Sequence, residues 1–471
     1  MLLSELAGVA SDSKVTGFAL DHRKVAKGNV FGAFRGSRFN GEDFVGEAVK
    51  RGAVAVIARP EAVVEAVPHL FADEPRKLFA ELAARFYAPY PETIVAVTGT
   101  NGKTSTVELT RQLWRMAGHR SASIGTLGVT TADDQVATGL TTPDIVTFLS
   151  NMAGLKRMGI SHVAYEASSH GLDQYRAEGV LVKAAAFTNF SRDHLDYHPN
   201  MDAYFAAKMR LFDEVVAADG AAVVWTGDAR SAEVINHAKR RALRLVTVGP
   251  GAATIELVER KSTPLGQQLV LRHEGKEHKL ALPLIGAYQM NNVLTAAGLV
   301  LATGGQWATT LSGMARVAPV RGRLERAVIS RSGAPVYVDY AHTPDAIEAA
   351  IAALRPHVEG RLITVVGAGG DRDEGKRPEM GAVAARLSDV VIVTDDNPRS
   401  EEPAVIRKAV LAGAPGAIEI GDRRSAIGEA IAMAKAGDIV LVAGKGHEQG
   451  QIIGDLVLPF DDVTVARESA A

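Results

Sequence analysis

The run from Ile94 to Ser105, IVAVTGTNGKTS, constrains this chain more than any other segment. Residues 94–97 read as a buried strand, the glycines and Asn101 as a loop, and residues 107–116 as a helix. A strand that passes into a helix through Gly99, Thr100, Asn101, Gly102, Lys103, Thr104 and Ser105 aims backbone N–H groups and the positive end of a helix dipole at one point. That point suits phosphate: Lys103 would reach the β- and γ-phosphates of a nucleoside triphosphate, and Thr104 would ligate its Mg2+. The loop is shorter than the common Gly-x4-Gly-Lys-Ser/Thr form, because Val97 stands where that form has its first glycine. The departure points to a particular subset of triphosphate-binding proteins. Gly367, Gly369 and Gly370 do not make a competing dinucleotide fingerprint, since Arg372 occupies the place of a small residue that lets helix and strand approach.

Further buried-strand runs at 162–165, 184–187 and 221–225 alternate with amphipathic helical stretches, which predicts an α/β fold with a mostly parallel sheet. A length of 471 residues suggests about three domains at roughly 150 residues each. Residues 1–90 read as a small α/β domain, closed by the proline-bearing segment 87–91. Residues 91–328 read as the central phosphate-loop domain. Residues 329–471 restart the pattern with apolar runs at 335–338, 362–366, 390–394 and 439–442, each ending in a polar loop. Ligands of open parallel sheets sit beyond the carboxyl ends of the strands, so these loops are the candidate surface of a Rossmann-like third domain.

A formal net charge of −2 supplies no field that would draw the chain to nucleic acid or an anionic bilayer. The absence of cysteine excludes disulfides, thiolate metal sites and thiol nucleophiles. No apolar stretch approaches the ~20 residues of a membrane span, and the first residues lack a basic, apolar leader. A cytoplasmic protein acting on small molecules, with neither nucleic acid nor membrane as partner, is expected.

Glu166 closes the run 163–165 and would lie beside the phosphate loop if the two strands were neighbours, a natural Mg2+ ligand. His194 and His198 lie in an oxygen-rich loop, which favours magnesium or manganese over structural zinc. Lys208 follows Tyr204 by one helical turn and precedes Leu211 and Phe212 by another, so it shares their apolar face and points inward. Most helical lysines are solvated. A buried amine loses its charge readily and can add CO2, becoming a carbamate whose negative charge could support a second metal.

Together these segments resemble the Mur ligases over essentially the whole chain. The matching pieces run from Thr98–Thr104 through 140–144, 166–170, 174–176, 189–198 and Lys208 to 322–325, 339–345, 370–372, 396–399 and 444–448. The resemblance implies an ATP-dependent amide ligase of peptidoglycan synthesis that works through an acyl phosphate. Its substrates would be ATP, UDP-N-acetylmuramoyl-L-alanyl-D-glutamate and meso-diaminopimelate, and it would act as a monomer. Lys208 would be the family's carbamylated lysine; Thr104, Glu166, His194 and Lys208 would form the metal shell, with Lys103, Lys208, His194 and Glu166 catalytic. Asn292, Arg323, Asp339 and His342 would complete the nucleotide contacts. Leu20, His22, Ser37, Thr141, Thr142, Ser168, Gln174 and Arg176 would bind the UDP-linked peptide, although His22 stands where relatives often show serine and 37–39 departs from a familiar His-Gln-Ala. Arg372, Asp396, Asn397, Pro398, Arg399, Gly444 and Glu448 would bind diaminopimelate. Independently of the resemblance, Arg372 and Arg399 each follow a strand and could converge to grip a carboxylate. A lysine-adding or D-Ala-D-Ala-adding relative, a folylpolyglutamate synthetase and a phosphate-loop switch ATPase are the alternatives.

Overall fold

The computed structural model describes residues 1–36, 39–136, 139–263 and 266–471, so Ser37 lies outside the described residues. The chain divides into two compact units, residues 1–248 with 295–310, and residues 249–294 with 311–471.

The first unit begins with four parallel strands, Gly17–Ala19, Asn29–Gly32, Ala55–Ala58 and His69–Phe71. The helix Pro75–Tyr87 covers them, starting on a proline whose missing N–H would have had no helical partner. Its Phe79 meets Phe18 edge-on at 5.1 Å, and the helix also packs on the helix Ile145–Arg157 of the larger sheet. In that sheet Arg244–Gly249, Val216–Trp225, Val182–Phe187, Thr93–Thr98, His162–Glu166 and Ser121–Gly125 lie side by side and parallel. Gly128–Thr130 and Gln135–Val136 extend it antiparallel. The predicted runs are therefore strands, buried on both faces as their unbroken apolar character requires. The strand Thr93–Thr98 sits between Val182–Phe187 and His162–Glu166, which brings the ends near 98, 166 and 187 together.

The second unit holds an antiparallel meander, Ile255–Thr263, Gly266–His273 and Lys276–Leu282, and a six-stranded sheet. The order of the latter is Glu325–Ile329, Pro335–Asp339, Ile439–Ala443, Leu362–Val366, Val390–Val393 and Ile418–Glu419, parallel except for the first. Its last strand in the chain is inserted between the first two parallel ones. The polar loops after residues 339, 443, 366 and 393 thus leave one edge side by side. Helices cover both faces: Ile347, Met380 and Ile406 pack on one, Ile427 and Val463 on the other. Among the described residues, no helix is long and apolar enough to cross a membrane.

Candidate active site

The phosphate loop turns where the backbone demands glycine. Gly99 has φ +143°, and a Cβ there would lie 2.0 Å from Thr188 Oγ1. The helix Lys103–Met116 starts immediately after Gly102. Lys103 folds back over the loop, its Nζ donating to the carbonyls of Gly99 (2.9 Å) and Thr100 (2.7 Å). The neighbouring strand end braces the turn: Asn189 Oδ1 accepts from Asn101 N–H at 2.9 Å, and Thr188 Oγ1 donates to the Asn101 carbonyl at 2.6 Å. Sequence reasoning assigned no role to either bracing residue, because their nearness depends on strand order.

Glu166 is buried at the next strand end. Its Oε1 accepts from Thr126 N–H at 2.7 Å, and its Oε2 accepts from the hydroxyls of Thr104 (3.0 Å) and Thr126 (3.1 Å). Gly125 makes the approach possible, since a Cβ there would stand 2.1 Å from Glu166 Oε1. Thr126 was missed in the sequence for want of any local signal. A threonine hydroxyl and a carboxylate oxygen at a phosphate loop are hard donors that fit Mg2+, which keeps waters and takes phosphate oxygens. Among the described residues no group of three or more His, Asp or Glu could hold a metal ion. Thr104 and Glu166 are donors that suit an ion completed by phosphate oxygens and water.

Lys208 lies in the last turn of the helix Met201–Arg210 with only 1% exposure, inward as predicted. Its Nζ donates to the Gly99 carbonyl at 2.8 Å and lies 4.3 Å from the centre of the Tyr204 ring. Burial above all, then the nearby charge of Lys103, holds this amine well below the usual lysine range. His194 has φ +54° and meets the His170 ring at 4.9 Å. Burial pulls its imidazole down to about 4; Asp193 opposes the shift, while Lys103 and Lys208 add to it.

The other candidates in this unit fall into two groups. Leu20 and His22 line a cavity of about 530 Å³ together with Phe31, Phe34, Phe39 and Phe44; the His22 ring stacks on Phe44 with centroids 4.2 Å apart. Thr141, Thr142, Ser168, Gln174 and Arg176 form one hydrogen-bonded network. Thr141 Oγ1 meets Thr126 Oγ1 at 3.1 Å, and Thr142 Oγ1 donates to the Glu166 carbonyl at 2.8 Å while accepting from Ser168 N–H at 3.1 Å. Arg176 donates to Gln174 Oε1 at 2.7 Å and to the Thr142 carbonyl at 3.1 Å. The network ends on Glu166 and so reaches the phosphate loop.

In the second unit, Asn292 donates to Gln289 Oε1 at 3.5 Å, and Gln289 in turn donates to the Arg323 carbonyl at 2.8 Å. The Arg323 guanidinium lies 4.6 Å over the Tyr340 ring, and His342 Nδ1 bonds the Tyr340 carbonyl at 2.8 Å. Asp339 accepts from Leu324 N–H at 2.6 Å; burial raises its carboxyl to about 6 against the opposing charge of Arg323. Arg399, at φ +53°, donates to the Gly370 carbonyl at 2.6 Å. Arg399 Nη1 and Arg372 Cγ both lie within 4 Å of where a side chain on Gly369 would begin, so the two arginines flank one loop. Pro398, Asp396 and Gly444 line up beside them: the Pro398 carbonyl abuts Gly370, and Asp396 Oδ2 abuts Gly444. Asn397 Nδ2 donates to Glu448 Oε2 at 2.7 Å, and Lys445, to which the sequence reading gave no role, bonds both.

A parallel sheet carrying a glycine–lysine–threonine loop, an acid on the adjoining strand and a buried lysine bonded to the loop defines a triphosphate-dependent enzyme of the phosphate-loop class. Residues 97–300 match the Mur ligase middle domain, and residues 322–446 match the Mur ligase, glutamate ligase domain. The UDP-N-acetylmuramoyl-L-alanyl-D-glutamate–2,6-diaminopimelate ligase of Zymomonas mobilis is 61% identical over 462 residues, covering 97% of this chain and 95% of that protein. The protein of the same name from Bradyrhizobium diazoefficiens is 50% identical, covering 95% of this chain and 93% of its own length. A solved structure of a ligase with this name superposes with a TM-score of 0.73 at 31% identity, covering 100% of this chain and 98% of the other. The chain belongs to the Mur ligase family and is an ATP-dependent ligase.

Proposed function

We propose that this ligase joins meso-diaminopimelate to the D-glutamate of UDP-N-acetylmuramoyl-L-alanyl-D-glutamate. The reading is supported above all by likeness over 97% of the chain to a ligase bearing that name. In it, residues 1–90 bind the uridine end of the substrate, 91–328 bind ATP and 329–471 bind the amino acid, in a monomer of the cytoplasm.

The helix N-terminus at Lys103 holds the ATP phosphates, and Lys103 leaves the loop carbonyls to reach the β- and γ-phosphates. Thr104 and Glu166 would hold Mg2+, which offsets charge on the transferring phosphoryl group. An oxygen of the D-glutamate γ-carboxylate attacks the γ-phosphorus, the bond to the β-phosphate oxygen breaks, and ADP leaves. The diaminopimelate amine then attacks the acyl carbon; the acyl C–O bond breaks, phosphate departs, and the amine proton passes to solvent. Thr141, Thr142, Ser168, Gln174 and Arg176 orient the peptide end of the nucleotide substrate. Asn292, Arg323, Asp339 and His342 serve the outer part of the nucleotide, Asp339 by fixing the Leu324 turn.

The Lys208 lone pair adds to the carbon of CO2, one C=O electron pair moves to oxygen and the nitrogen loses a proton, which leaves a carbamate. With His194 this anion would support a second metal. In the second unit, Arg372 and Arg399 take the distal carboxylate of diaminopimelate, and Asp396, Asn397 and Glu448 take its polar groups. ADP release and amide formation, followed with diaminopimelate and with lysine, test the assignment. Diaminopimelate-dependent amide formation is expected, and equal turnover with lysine would overturn it.

A further inference from the structure

Lys445 is fully buried in the loop after the strand Ile439–Ala443, a setting in which an ammonium group must be held by partners. Its Nζ donates to Asn397 Oδ1 at 2.8 Å and to Glu448 Oε2 at 3.1 Å. Asn397 Oδ1 also accepts from Ile452 N–H at 3.0 Å. Two donors converging on one amide atom identify it as the oxygen and fix which way the amide faces. The Asn397 NH2 group therefore points the other way, giving one hydrogen to Glu448 Oε2 at 2.7 Å and keeping one to offer. Glu448 Oε2 is taken up by Lys445 and Asn397, so Oε1 is the oxygen left to accept.

We propose that Lys445 is a positioning residue that sets the polarity of the amino-acid pocket: by pinning the Asn397 amide and one Glu448 oxygen, it presents an N–H donor beside a carboxylate acceptor. That pair complements the zwitterionic α-amino-acid end of a substrate, its carboxylate meeting Asn397 and its ammonium meeting Glu448. Lys445 and Glu448 offset each other's charge, so a zwitterion enters without adding net charge. A side-chain ammonium that lacks the neighbouring carboxylate leaves the Asn397 N–H unpaired, and such a loss discriminates strongly between substrates. The assignment rests on the amino-acid-binding role given to this loop above.

Steady-state kinetics of Lys445→Met and Lys445→Arg, with each substrate varied in turn, test it. Lys445→Met is expected to raise the KM for diaminopimelate about 10- to 100-fold, the loss that follows when two oriented hydrogen bonds to substrate are no longer held. KM for ATP and for the nucleotide-linked substrate should stay within about twofold, and Lys445→Arg should recover part of the loss. Should Lys445→Met fail to fold, Asn397→Asp keeps a bond to Lys445 but replaces the donor by a carboxylate oxygen that faces Glu448; a rise in the diaminopimelate KM at least as large is expected. An unchanged diaminopimelate KM in either folded variant overturns the proposal, as does an equal loss for all three substrates. If the unaltered enzyme makes no amide with diaminopimelate, the function reading fails instead, and the same comparison with the amino acid it does accept still decides the role of Lys445.

Discussion

Replacing Lys208 by methionine separates what this residue does for stability from what it does for chemistry. The side chain is buried, and methionine fills a similar volume with a flexible apolar chain. The bond from Nζ to the Gly99 carbonyl is lost, at about 1 kcal/mol, but that carbonyl still accepts from Lys103 at 2.9 Å and is not left bare. Against this loss stands the cost of burying an amine. The folded amine binds its proton more weakly than the unfolded one, whose pKa is 10.5, so folding releases a proton between the two values. Wild-type stability from this group therefore falls as pH drops below 10.5, by about 1.4 kcal/mol per unit, until the lower pKa is reached; methionine removes that slope. In CO2-free buffer the variant should melt within a few degrees of wild type, and the difference should move in its favour as pH falls from about 10 to about 8. Activity should nevertheless drop about 10³-fold, equivalent to ~4 kcal/mol of transition-state stabilisation lost with the proposed carbamate. Bicarbonate should raise wild-type turnover and leave the variant unchanged. A variant that keeps more than about a tenth of its activity would refute the catalytic argument. A loss of more than about 3 kcal/mol in denaturant unfolding would refute the energetic one.

Three other outcomes are expected. Arg423 and Asp462 form an ion pair with both side chains at 0% exposure, so Arg423→Met should cost about 3–5 kcal/mol in denaturant unfolding by leaving the aspartate unpaired. Asp339, raised by burial from 3.8 to about 6, binds its proton more tightly when folded; wild-type stability relative to Asp339→Asn should therefore rise by roughly 1–3 kcal/mol as pH falls from 6 to 4, read by thermal melts across that window. Arg399→Ala should raise the KM for diaminopimelate at least about tenfold and shrink its preference over lysine, measured by competition between the two.

The phosphate loop, the run of buried strands and the inward lysine were legible in the residues because each rests on local spacing. A glycine at a fixed offset from a lysine and threonine works through backbone geometry within a few residues, and the 3.6-residue helical period places Lys208 with Tyr204 and Phe212 whatever surrounds them. Other features depend on which strand lies beside which, a choice made by the packing of the whole unit. Strand order sets Glu166 against Thr104 and Thr126, and braces the loop with Thr188 and Asn189. It also inserts Ile439–Ala443 between Pro335–Asp339 and Leu362–Val366. That insertion carries Lys445 to Asn397, 48 residues away in the chain, and so decides which end of the amide is turned to Lys445 and which to Glu448. Composition and motif could announce a charged loop there, but the direction of its hydrogen bonds exists only once the strands have been ordered.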